Sequence, residues 1–276
     1  KIVNNLFLLI LSTTGALFAQ NFAETASDRG GNLGVICLVP DGQVGSLDLA
    51  ALTNTGGATA IKFAEGFFWM TSAGETSLGD PNMLFKIAAD GSTVEPFTQP
   101  TTSDWGWRDL TFDGTFLYGS DSDVIEQIRL TDGQPTGVTI PSPLPGASES
   151  VPARGLAYDP ATDHFWVANR DSDLYEIDRA GNIINQFTQN HQIFGLAWDA
   201  GAPGGAALWA WHQDNVNEGT PIDPATGADL AGCLGGVTLG VGAGGAGISN
   251  SFLPGERVFV GLHQSTDAVL YLLGSD

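Results

Sequence analysis

The chain has 276 residues, enough for one large domain or two small ones. With 42% hydrophobic and only 15% charged residues, it is too apolar for a disordered chain. Ten Lys and Arg stand against 31 Asp and Glu, a formal charge of −21, and a field of that sign repels phosphate backbones and argues against nucleic-acid binding.

At the N-terminus Lys1 precedes the apolar run Leu6-Phe7-Leu8-Leu9-Ile10-Leu11, and Ala16-Leu17-Phe18-Ala19 precedes Gln20. A cationic start, a short apolar middle and a small residue before a polar one predict a signal peptide over residues 1–19. Asn4, Asn5, Ser12, Thr13 and Thr14 keep the run below the roughly 20 apolar residues a spanning helix needs. The mature chain is therefore expected to be secreted, extracellular or at the cell surface, without a membrane span. Residues 20–33 read as a linker and residues 34–276 as the folded domain. Cys37 and Cys233 could pair in an oxidising compartment or sit as small buried hydrophobes; neither has zinc-site spacing.

From residue 60 onward the sequence repeats. Ala60-Ile-Lys-Phe63, Arg108-Asp-Leu-Thr-Phe-Asp113, Arg154-Gly-Leu-Ala-Tyr-Asp159, Phe194-Gly-Leu-Ala-Trp-Asp199 and Gly247-Ile248 open five copies, each followed by an aromatic or β-branched strand such as Phe165-Trp166-Val167. Within the third copy, Leu174–Asp178 and Ile183–Phe187 predict third and fourth strands. The turns Ala89-Asp90-Gly91, Thr131-Asp132-Gly133 and Ala180-Gly181-Asn182 join the equivalent pairs, with residues that tolerate positive φ. No segment after the leader shows a helical apolar period.

Four-stranded units that are apolar on both faces are not stable singly, and radial stacking buries both faces. The fold class is therefore all-β, a β-propeller; a β-sandwich leaves the phased repeat unexplained. Gly34–Leu49 resembles the end of a copy, and the last copy stops after its third strand, Ala268–Leu273. Lending an N-terminal strand to the last blade gives five blades; a sixth, split blade is the alternative. The stop at Asp276 predicts that the natural protein continues.

The stretch Arg154–Asp178 with its Ala-Gly-Asn turn resembles the repeat of the NHL/YncE/SdiA-regulated group of secreted bacterial propellers, and the leader ending Leu-Phe-Ala-Gln resembles those of Bacteroidetes-type exported proteins, including type IX secretion substrates. The resemblance spans roughly residues 60–273 and concerns strand and turn chemistry. That superfamily includes adhesive modules, lyases, metal-dependent lactonases and phytase-like esterases, so the resemblance implies the fold and leaves the chemistry open.

Propeller geometry brings first-strand starts and second-strand ends to one mouth of the channel. Trp105, Trp107, Arg108, Asp109, Ser120, Asp121, Arg154, Asn169, Arg170, Asp171, His191, Phe194, His212, Gln213, Asp214, His263 and Gln264 fall there. Aromatic surface with arginine forks suits a glycan, peptide or small-molecule ligand; the same residues also serve as strand caps. The pairs Asp121/Asp123 and Asp171/Asp173 are weak candidates for Ca²⁺, since Asp and Ser also suit ordinary turns. A lactonase-like centre needs a Glu at the first-strand starts, where none stands. No GxSxG, HExxH or P-loop occurs, and the formal Gly-x-Gly-x-x-Gly at Gly240, Gly242 and Gly245 opens no helix. The sequence thus points to an acidic binding module, with a divalent-metal-dependent hydrolase or lyase as the alternative.

Overall fold

The computed structural model describes residues 43–55, 57–74, 76–147, 152–213, 217–232, 234–236, 242–264 and 267–273. The predicted leader over residues 1–19, the linker over 20–33, Cys37, Cys233 and Asp214 lie outside them.

Twenty strands form five antiparallel four-stranded sheets. The first blade is β2 (Ala58–Ala64), β3 (Phe67–Ser72), β4 (Met83–Ala88) and β5 (Val94–Thr98). The second is β6 (Leu110–Phe112), β7 (Leu117–Asp121), β8 (Val124–Ile128) and β9 (Pro135–Pro141). The third is β10 (Gly155–Asp159), β11 (His164–Ala168), β12 (Leu174–Ile177) and β13 (Ile183–Phe187). The fourth is β14 (Ile193–Asp199), β15 (Ala207–His212), β16 (Asn217–Ile222) and β17 (Leu234–Gly236). The fifth takes β18 (Ala243–Ser249), β19 (Arg257–His263) and β20 (Asp267–Leu273), and its outer strand is β1 (Gln43–Asp48) from the N-terminal side. Five blades is therefore the count. β1 pairs antiparallel with β20, Ser46 opposite Val269, so the start of the domain closes the ring. The inner strands β2, β6, β10, β14 and β18 each touch the next around the circle.

Packing follows from this arrangement. Five hydrophobic clusters form, one at each junction between blades. The middle of the second strand carries Trp69, Tyr118, Trp166 and Trp209 in four blades, opposite Lys62, Thr111, Ala157 and Ala197 of the inner strands. Large rings widen the outer part of each wedge, while Thr111, Ala157 and Ala197 are small enough to let the inner strands converge. Trp69 joins Trp107, Leu110 and Leu117 between the first and second blades, and Trp166 joins Leu196 and Leu208 between the third and fourth. The outer strands are more exposed, and Pro96, Pro135 and Pro141 sit on them, where a missing N–H costs no ladder bond and discourages pairing with another chain.

The predicted turns form as read: Gly91, Gly133 and Gly181 adopt φ of 71°, 64° and 82°. Two details differ. The segment after β1 makes a short helix, α1 (Leu49–Thr53), too short to show a period; Asp48 caps its first turn and Asn54 ends it in the left-handed region. In the fifth blade, the residue equivalent to Gly155 and Gly195 is Gly245, two residues before the Gly247 that opens the copy in the sequence, and it is Gly245 that faces Asp109 and Ala60.

Candidate functional site at the channel mouth

The expected juxtaposition occurs. Ala58 pairs with Ser72, Gly155 with Ala168, Ile193 with His212 and Ala243 with His263, so inner-strand starts and second-strand ends share one face in each blade. Arg108 N–H donates to Ser120 O at 3.0 Å and Arg154 N–H to Ala168 O at 2.8 Å, which sets the two arginines at the same position of adjacent blades. Ser120 Oγ donates to Ala153 O at 2.8 Å and ties those blades together.

Asp109 behaves unlike the rest of the mouth. It was expected at the rim, and it is fully buried on the channel axis. Its equivalents are Ala60, Gly155, Gly195 and Gly245, so a single carboxylate has room to reach across the ring. Oδ2 accepts from Leu156 N–H at 2.8 Å and Leu196 N–H at 3.1 Å; Oδ1 accepts from Leu110 N–H at 2.9 Å. A Cβ on Gly245 would lie 2.2 Å from Oδ1 and 2.9 Å from Ala60 Cα. Asp109 therefore links the inner strands of the second, third and fourth blades and has no free edge for a ligand.

Lys62 occupies the next level of the axis. Its Nζ donates to Ile248 O at 3.3 Å, and a Cβ on its equivalent Gly247 would stand 3.0 Å from Lys62 Cδ. Part of its surface is accessible, yet protein surrounds it on all sides, as a channel interior requires. Burial lowers its pKa to about 8, opposed by the Asp109 charge. Burial likewise pushes the Asp109 carboxyl well above its ordinary value, opposed by its three N–H donors and by Lys62. Lys62 was not singled out in the sequence; the available signal was a lysine between Ile61 and Phe63 in an otherwise apolar strand.

Most remaining rim candidates are engaged within the fold. Trp107 is buried, donates Nε1–H to Glu126 Oε2 at 2.7 Å, and packs against Gly119. Asp121 accepts from Ser103 Oγ at 2.6 Å. Asn169 and Ser172 close a turn, with Asn169 N–H on Ser172 Oγ at 2.8 Å. His212 is buried, faces Thr220 Oγ1 at 2.8 Å and stacks under His191 at 4.4 Å, while His191 reaches Asp229 at 3.0 Å. His263 is buried against Trp211 and meets Asp267 at 3.0 Å. Gln213 and Gln264 approach Gly242 beside the start of β18. These three histidines thus lie on the mouth side as expected, and two of them are interior.

Trp105, Arg108, Arg154 and Phe194 form the other part of the mouth. Trp105 is 45% exposed and covers the Arg108 guanidinium at 4.3 Å. Arg154 is half-buried over the Phe194 ring at 5.1 Å. Burial, reinforced by the Arg154 charge, lowers the Arg108 pKa to about 9, still cationic at neutral pH. Burial also lowers that of Arg154, with Arg170 acting in the same direction and Asp171 against it. Beside Trp105, an open cleft of about 560 Å³ between residues 76–81 and 101–104 is walled partly by Asp80 and Asp104.

Among the described residues, no three His, Cys, Asp or Glu side chains converge on a point where they could hold a metal ion. Of the Ca²⁺ candidates, Asp121 holds Ser103, Asp173 accepts from Gln186 Nε2 at 2.6 Å, Asp171 lies 3.6 Å from Arg170, and Asp123 is exposed.

No protein-family model and no curated protein matches the chain. Among solved structures it is similar to a streptogramin B lyase, at 15% identity and a TM-score of 0.44, covering 79% of this chain and 65% of that one. It is also similar to a catalytically inactive virginiamycin B lyase from Staphylococcus aureus with quinupristin, at 16% identity and a TM-score of 0.46, covering 79% of this chain and 67% of that one. The chain spans about two thirds of the length of each, and at this distance the likeness says nothing about activity.

Proposed function

We propose that this chain is an exported, acidic propeller whose channel mouth binds a ligand. One observation carries the reading: Trp105 is nearly half exposed over Arg108, which feels the Arg154 charge, while most neighbouring polar groups of the mouth are engaged in the fold. An exposed indole next to cations gives apolar contact and charge at one place, which is what a small-ligand site uses. The leader-like N-terminus and the excess of acidic residues support an extracellular setting.

A glycan and peptide array with the purified protein tests it. Binding is expected, with signals falling at least tenfold in Trp105→Ala and Arg154→Ala. An array without hits, together with stoichiometric bound metal and turnover of small esters or lactones, replaces this reading with the metal-dependent hydrolase or lyase.

A further inference from the structure

Six arginines are described, and four have a carboxylate partner: Arg129 with Asp132, Arg170 with Asp171, Arg179 with Asp113 and Asp163, and Arg257 with Asp199. Arg108 and Arg154 have none within ion-pair distance among the described residues. Arg108 is only 3% exposed, and its Nη1 is buried without a hydrogen-bond acceptor. The chain carries 31 carboxylates, yet among the described residues none neutralises this buried guanidinium, which lies next to a second cation. Burying an unpaired charge is among the costliest arrangements a fold can keep.

We propose that the channel mouth takes its ligand by an oxyanion, the carboxylate or sulfate of a small acidic molecule, held between Arg108 and Arg154. The proposal rests on the ligand-binding reading above and names its chemical class. A planar guanidinium fork matches two oxygens of such a group, and two forks from adjacent blades converge on one anion. Arg154 is reachable from solvent and meets the anion first. Trp105 lies over Arg108 and is the side chain that shifts to let Arg108 donate. Arg170 and Asp171, the charged pair nearest Arg154, carry opposite signs 3.6 Å apart and largely cancel.

Titration calorimetry of the whole chain with sodium sulfate and sodium glucuronate, against methyl glucoside as the neutral control, tests this. Both anions are expected to bind and methyl glucoside not to. Arg108→Met and Arg154→Met are each expected to weaken binding at least tenfold. Arg108→Met is also expected to raise the melting temperature, because it removes a buried charge without a counter-charge; an arginine kept for structure lowers it when removed. Anion binding that survives both substitutions overturns the proposal, as does a lower melting temperature or loss of folding in Arg108→Met. Binding of sulfate without glucuronate marks an adventitious ion only and overturns it too. Array ligands that are uncharged, lost in Trp105→Ala and retained in Arg108→Met keep the mouth as a binding surface and remove the oxyanion, whereas an array without hits together with calorimetry without anion binding removes both readings.

Discussion

Asp109 shows how one residue organises the centre of the ring. Three backbone N–H groups, two of them from other blades, converge on its carboxylate. Asp109→Ala leaves all three unsatisfied in a buried setting and is expected to cost about 3–5 kcal/mol in urea unfolding. Gly245→Ala places a Cβ against Oδ1 and is expected to cost about 1–3 kcal/mol. In the Asp109→Ala background that cost should shrink, since the clash with the carboxylate is gone; equal costs in both backgrounds would contradict the contact. Lys62 gives a pH signature. The unfolded chain keeps that proton up to the ordinary lysine value of 10.5, while the folded chain releases it near 8. Between those values the unfolded state binds more protons, so Lys62 makes stability rise with pH across the window. Unfolding free energies from pH 7.5 to 9, below the range where Arg108 adds its own rise, should show it, and Lys62→Gln should flatten it. The sequence displayed Asp109 as one of many polar residues at strand starts. The repeat already set it level with Ala60, Gly155 and Gly195, but a repeat shows which positions correspond and not which of them meet at the axis, so its special place became visible only in the contacts across the ring.

Strands and turns were the most legible elements. Ile183–Phe187 was read as a fourth strand and forms β13 with those bounds, because the Ala-Gly-Asn turn folds the chain straight back along β12. The aromatic second strands were equally plain in Phe165-Trp166-Val167. Helix α1 escaped notice, since five residues are too few to establish a 3.6-residue period. Gly247 was aligned in place of Gly245, two residues away, because the Gly-rich run there offers no side chains to fix a register. Closure by β1 followed from a missing fourth strand at one end and a surplus strand at the other. It predicts that deleting residues up to Asp48 opens the edge of β20. The truncated chain should lose cooperativity in thermal unfolding and gain a tendency to associate, measurable by calorimetry and light scattering; an unchanged transition would contradict closure by that strand.

At the scale of the molecule, charge is distributed unevenly between the two openings. On the side away from the mouth, Arg179 joins Asp113 and Asp163 and lies over the rings of Tyr118, Tyr158 and Phe165, clamping the second blade to the third, and Arg257 joins Asp199 across the fourth and fifth. Those arginines serve the fold. The pair at the mouth has no such partner among the described residues, and composition could not have distinguished the two sets, because pairing depends on which loops the ring brings together. The mouth was legible as a location, through strand polarity; its division into buried caps and one uncompensated cationic pair was not. The account's central claim is that this pair is held ready for an anion. Its most direct test is a crystal of the protein soaked in sodium glucuronate. The account predicts the glucuronate carboxylate within hydrogen-bond reach of both Arg108 and Arg154, with the Trp105 ring displaced from the guanidinium. Glucuronate bound elsewhere on the protein and none at the mouth would contradict it.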